Sequence, residues 1–243
     1  MMADWFTVPA MLAALLIFLG AFVQTAIGFG MAVVAAPLLY MVSPDYIPAP
    51  IMLAGLFISL LSAVKHRHNV QLGGLKIALI SRIPGSILGG WMLLVVSSHT
   101  LSLWLGALVL MAVLISLLPF RVEPTPTRMG IAGFFSGLFG TSSAIGGPPM
   151  ALLLQHQGAD QLRGNLSAFF VLSAFLSMAV LIPTGFLTLH HLWITLPLLP
   201  AAWFGYWLAR LTTHSLPQHR VRAGALILCL LSGVMAIGQG LHA

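Results

Sequence analysis

The sequence predicts an all-α polytopic integral membrane protein. It reads as two repeats, inverted relative to each other, each an interrupted (re-entrant or broken) helical hairpin followed by three transmembrane helices. Three observations carry this. Hydrophobic residues make up 59% of the 243, charged residues 6%, and mean hydropathy is +1.04, against roughly 25% charged residues in a soluble domain. The apolar runs fit helical spans of about 17–25 residues, not the alternating strands of about 10 residues that build a barrel. And the pattern recurs: Gly28-Phe29-Gly30 as Gly140-Thr141-Ser142, Pro84, Gly89 and Trp91 as Pro200, Gly205 and Trp207, and Gly106 as Gly224, at offsets 140 − 28 = 112, 200 − 84 = 116 and 224 − 106 = 118. Duplicated halves in a chain this apolar point to a transporter.

In chain order, apolar stretches fall at 8–42, 48–64, 75–96, 101–119, 129–154, 164–183, 192–211 and 222–241. The first repeat is 1–119, the second 129–243, and 120–128, with Pro124, Thr125 and Pro126, reads as the linker. The stretch 8–42 is too long for one span and is interrupted at Gly28-Phe29-Gly30. The stretch 129–154 is interrupted over 140–149, leaving about ten residues on each side where a span needs about 20. Breaks of this kind are tolerated at membrane depth only where the freed backbone lines a cavity or is buried in protein.

Charge placement orients the repeats. Lys65, Arg67 and Lys76 mark one joint as cytoplasmic, Arg121 and Arg128 a second, and Arg210, Arg220 and Arg222 a third, while 97–100 and 184–191 hold no Lys or Arg and read as external. Matching joints lie on opposite sides in the two repeats, as inversion requires, and both termini then lie outside. Trp5, Trp104 and Trp193 suit external span ends, and Trp203 and Trp207 lie toward a cytoplasmic end. The rival arrangement makes each broken stretch one spanning helix, giving eight spans and parallel repeats.

The net charge of +6 sits mostly at span ends, which argues against a nucleic-acid partner. Cys229 is the only cysteine, so no intramolecular disulfide and no CxxC redox or zinc site is expected, and no cofactor. The first residues carry Asp4 and no basic residue, so the first apolar run reads as retained. The acids are Asp4, Asp45, Glu123 and Asp160, all in loops or at termini, which disfavours a proton relay or a carboxylate cation site within the spans. His66, His68, His99, His156, His190 and His191 lie near span ends, and Arg67 between two histidines repels metal cations.

The candidate site is the pair of breaks. In the second, Gly140, Gly146 and Gly147 allow close backbone approach, and Pro148 or Pro149 can open the next helix. The freed amides and positive helix end favour an anion, and Thr141, Ser142 and Ser143 add hydroxyl donors. The first break offers Gln24, Thr25, Gly28 and Gly30. The competing account is close helix packing through small residues such as Gly133 and Gly137. Matching interruptions in two halves favour a binding site. Arg82 lies one or two turns into its span, and Arg163 and Asn165 open the span after the second hairpin. The arginines either snorkel to the cytoplasmic surface or attract the anion at the cytoplasmic mouth.

At these residues the chain resembles the sulfite exporter TauE/SafE family. The likeness rests on Gly28-Phe29-Gly30 with Pro37, Gly140-Thr141-Ser142 running to Gly146-Gly147-Pro148-Pro149, Arg163-Gly164-Asn165, and Pro200 with Gly205, and it covers nearly the whole chain. The resemblance implies movement of small anions such as sulfite, sulfoacetate or related organosulfonates across the bacterial cytoplasmic membrane. The expected partners are a small anionic substrate and the lipid bilayer, and a homo-oligomer is compatible. The expected mechanism is alternating access, with the hairpins meeting near the bilayer midplane. Alternatives are a passive anion channel or a non-catalytic membrane subunit. An enzyme is disfavoured, since no histidine is expected beside Ser142 or Ser143.

Overall fold

The structure is a computed structural model that describes residues 7–117, 122–212 and 218–242. These residues form eleven α-helices with short 3-10 turns and no strand: α1 Val8–Ile27, α2 Met31–Val42, α3 Ala49–Lys65, α4 Lys76–Val95, α5 Ser98–Leu117, α6 Pro126–Ser143, α7 Gly147–Leu154, α8 Ala159–Leu181, α9 Leu189–Thr195, α10 Leu198–Thr212 and α11 Gln218–His242. Among the described residues five helical segments are long and apolar enough to cross a membrane, or six if α9 and α10, bent by 46°, form one span. Trp5, the linker residues Phe120 and Arg121, and part of the basic joint after α10 lie outside the described residues.

α4 shows why these helices belong in lipid. Ile80, Ile83, Ile87, Trp91 and Leu94 form its exposed stripe, while Ala78, Arg82, Gly85, Ser86, Gly89 and Gly90 are buried. Small and polar residues face inward and large apolar ones outward, the reverse of a helix that packs a soluble core.

Both interrupted stretches are hairpins. Gly28 (φ 94°) and Gly30 (φ 109°) take the left-handed conformation and turn the chain between α1 and α2. A Cβ at Gly20 would lie 2.9 Å from the Met31 carbonyl oxygen. Residues that far apart along a straight helix would be separated by about 16 Å. In the second hairpin the Ser136 hydroxyl donates to the Gly146 carbonyl at 2.6 Å, so α7 likewise returns along α6. Two expectations change here. The first arm of the second hairpin, α6, is 18 residues long, not about ten. The second turn is narrower than 140–149: α6 runs through Ser143, and Ala144 (φ 62°) ends it in the left-handed conformation. The positions that correspond are therefore Gly28 with Ala144 and Gly30 with Gly146, at 144 − 28 = 146 − 30 = 116. This is the offset already set by Pro84 and Pro200, and one helical turn from the alignment of Gly28 with Gly140.

The packing keeps its pattern when the halves are exchanged. α4 packs on α6 as α10 packs on α1, while α3 meets α8 and α5 meets α11. Glycines set the first pair of contacts. A Cβ at Gly89 would lie 2.5 Å from the Leu138 carbonyl oxygen, and one at Gly205 would run into the Phe18 carbonyl oxygen. Helices this close leave no room for a side chain between them.

Candidate functional site

The hairpin turns face a small cavity of about 80 Å³. Gln24 and Gly30 line it from the first hairpin, Ser59 from α3, Arg82 from α4, Gly140, Gly146 and Gly147 from the second hairpin, and Ser173 and Ser177 from α8. The volume is several times the roughly 10–15 Å³ that one water needs.

Arg82 dominates this cavity chemically. It lies in the interior of the candidate span Gly73–Val95, about 13 Å along the helix from its first residue, and is 3% exposed. It does not snorkel: its guanidinium turns inward between three helices. Nη1 donates to Ser136 Oγ at 2.8 Å and Nη2 to Ser177 Oγ at 3.1 Å, and the cation lies 5.7 Å from the Phe169 ring centroid. Ser136 donates its own hydroxyl hydrogen bond to the Gly146 carbonyl, and Ser177 shares a hydrogen bond of 2.9 Å with Thr141. Hydroxyls orient this cation, and none of them neutralises it.

Among the described residues no carboxylate pairs with Arg82. Asp160 sits 3.5 Å from Arg163, and Asp45 is 4.0 Å from His190. Arg82 Nε and the hydroxyls of Ser86 and Ser173 are buried without a hydrogen-bond partner. Withdrawing a cation from water costs several kcal/mol unless its surroundings repay it. A buried, uncompensated guanidinium beside an unpaired hydroxyl is the arrangement an anion would complete.

The other expected site residues divide. Gln24 donates to Ser59 at 3.1 Å on the cavity wall. Thr141 reaches the cavity only through Ser177. Thr25, Ser142 and Ser143 bond back to the carbonyls of Ala21, Leu138 and Phe139, and none lines the cavity. Ser142 also accepts from the Trp104 indole at 3.3 Å. Pro148 and Pro149 lie in the first turn of α7 and have no N–H, so the turn offers fewer amides than its position suggests.

Arg163 and Asn165 lie elsewhere. Arg163 Nη2 donates to the Ala26 carbonyl at 2.8 Å, capping the end of α1 beside Gly28. It lines a larger cavity of about 500 Å³ between the first hairpin, α5, α7 and α11. Gly30 and Val33 line both cavities, so the first turn stands between them. Asn165 accepts from the Gln71 amide at 2.7 Å and donates to Gln157 at 2.8 Å, tying two loops together. His66 is 3.7 Å from Asp160. Burial, and then the charge of Lys65, hold its imidazole below the ordinary histidine value against the pull of Asp160, so this contact is not an ion pair at neutral pH.

Sequence reasoning missed Ser59, Ser136, Ser173 and Ser177. One signal was available: Ser173 and Ser177 are four residues apart on α8, as Arg82 and Ser86 are on α4, and such pairs share a helix face.

The sulfite exporter TauE/SafE family model matches residues 12–236, nearly the whole chain and both hairpins. The chain belongs to the TauE/SafE family. It is thus a multi-pass membrane protein of a family of transporters of sulfur anions. No curated protein and no solved structure matches it.

Proposed function

We propose that this chain carries a small sulfur oxyanion, sulfite or a compact organosulfonate, across the bacterial cytoplasmic membrane by alternating access of two inverted halves. The observation that carries the reading is Arg82, a buried cation with no carboxylate partner among the described residues, in a cavity framed by both hairpin turns. The guanidinium supplies the charge. Ser173, Ser177, Gln24 and the amides of Gly146 and Gly147 supply shorter-range donors. Arg163 draws the anion into the larger outer cavity, and the first turn, at Gly30 and Val33, separates that cavity from the inner one. Thr141 acts through Ser177. Thr25, Gly28, Ser142, Ser143 and Asn165 hold the turns in place. A shift of the first hairpin relative to the second half would open one route to the cavity as it closes the other.

The test is uptake by the purified chain in liposomes, with sulfite, sulfoacetate, sulfate and a short carboxylate offered with and without a pH gradient. Saturable uptake of a sulfur anion, with counterflow exchange, is the expected result. Flux that rises linearly with concentration and shows no counterflow would establish a passive channel instead. Folded protein that moves none of these anions would overturn the assignment of the Arg82 cavity to sulfur anions.

A further inference from the structure

We infer that the Arg82 cavity selects by valence: it accepts a monovalent oxyanion and rejects a divalent one, so sulfite is carried as hydrogen sulfite. This rests on the transport reading above and sharpens its substrate.

Among the described residues that line the cavity, Arg82 is the only one with an ionisable side chain, and the other polar side chains are Gln24, Ser59, Ser173 and Ser177. One guanidinium and one monoanion make a neutral pair. A dianion would leave one net negative charge in a cavity walled by Met31, Ile51, Leu56, Ile145 and Phe170. A buried charge without a partner is strongly disfavoured, and neutral hydroxyls do not offset it.

Other charges are too far away to supply the second cation. On the helices that pack around the cavity, the ionisable residues are Lys65 on α3, Lys76 on α4, Arg128 on α6, Asp160 and Arg163 on α8, and Tyr40 on α2. Lys76 is about 9 Å along α4 from Arg82, Arg128 about 12 Å along α6 from Ser136, and Arg163 about 15 Å along α8 from Ser173. Arg163 is already engaged with Ala26 and Asp160. None of these lines the cavity. The protonation that decides occupancy is therefore that of the anion. The unpaired Ser173 hydroxyl can accept the hydrogen-sulfite O–H or donate to one of its oxygens.

The experiment uses the full chain in liposomes with equal pH on both sides, and protein-free liposomes for the background. The Michaelis constant for total sulfite is measured from pH 6 to pH 8, with methanesulfonate, a monoanion at every pH, and sulfate, a dianion at every pH, as competitors. Beyond the second ionisation of sulfurous acid, the constant for total sulfite should rise about tenfold per pH unit, following the loss of hydrogen sulfite. Inhibition by methanesulfonate should not change with pH, and sulfate should compete at least about 100-fold more weakly. Saturable sulfite uptake whose constant stays flat or falls as pH rises, or sulfate competing as well as methanesulfonate, would overturn valence selection and leave the transport reading standing. No saturable uptake of any sulfur anion would remove both.

Discussion

The two halves share a pattern of helix packing and differ in chemistry. Gly89 on α4 and Gly205 on α10, 205 − 89 = 116 apart, each bring their helix against a main-chain carbonyl of the facing hairpin, at Leu138 and Phe18; these partners are 138 − 18 = 120 apart, so the two contacts differ by one helical turn. The polar residues are not shared. Arg82 corresponds to Leu198 (198 − 82 = 116), Ser86 to Ala202 (202 − 86 = 116) and Ser136 to Gly20 (136 − 20 = 116). Leu198 and Ala202 are as buried as their counterparts. Close packing of α4 and α10 is therefore a property of the fold. The buried cation is a property of one half, and it lies against Ser136 of the second hairpin.

The largest expected effects test what the halves share. Gly89→Val and Gly205→Val each force a side chain against main-chain atoms of the facing hairpin, which cannot swing aside as a side-chain tip can. Each should destabilise the chain by about 3 kcal/mol or more. Thermal unfolding in detergent should show losses of similar size for the two. A tolerated Gly205→Val beside a ruinous Gly89→Val would mean that the halves do not pack alike.

Arg82→Gln tests what they do not share. It removes charge-assisted hydrogen bonds worth about 1.5–3 kcal/mol, so anion affinity should fall about 10–100-fold. Thermal stability should hold or rise, because an uncompensated buried charge has been removed. Leu198→Ala in the other half should show the reverse: a stability loss of about 2–5 kcal/mol with affinity unchanged. The pair is read by anion-dependent thermal shift and by uptake. Equal affinity losses in both variants would place the binding site on the axis between the halves, not beside α4.

The hydroxyls come next in size. Ser177→Ala removes an acceptor of Arg82 and the partner of Thr141 and should weaken affinity by about tenfold, the worth of one hydrogen bond to a charged group. Ser142→Ala loses a bond to its own helix and one from Trp104 and should change affinity less than about threefold. Competition binding with methanesulfonate separates them, and a reversed order would return the site to the hydroxyls of the second turn.

Much of the fold could be read from the chain because its causes are local. Apolar length placed the spans, and glycines between apolar runs marked the hairpins. The register of the repeat was less legible. Gly140 looks like a helix breaker, yet it lies inside α6, where a Cβ would meet Arg82 Nη2 at 2.7 Å and Gly146 Cα at 3.3 Å. Its small size makes room for the Arg82 guanidinium, while the residue that ends the helix, Ala144, carries no sequence mark of a left-handed turn. The cavity was half legible. Arg82 stood out as an ionisable residue in a span, and Gln24, Gly30, Gly146 and Gly147 as residues of the turns. Ser136, Ser173 and Ser177 did not, because their convergence depends on which faces of α4, α6 and α8 meet.

The smallest expected effect concerns the residues that end α1 and α6. Gly28 and Ala144 hold equivalent left-handed positions, but only one is glycine. A methyl group at Gly28 would find ordinary contacts, Leu166 Cδ1 at 3.5 Å and Arg163 Cγ at 3.6 Å, so Gly28→Ala carries the backbone cost alone, about 1–2 kcal/mol. Ala144→Gly relieves that cost in the second hairpin, while the unfolded chain gains back about 0.5–1 kcal/mol of conformational freedom. The two contributions nearly cancel, and the variant should unfold within about 1 kcal/mol of the parent, on the stable side. Melting curves of Gly28→Ala, Ala144→Gly and the double variant give the comparison directly. A clear loss in Ala144→Gly would show that the Ala144 methyl, which borders the cavity, contributes packing that outweighs its backbone cost. The second hairpin would then be held by its side chains as well as by its turn.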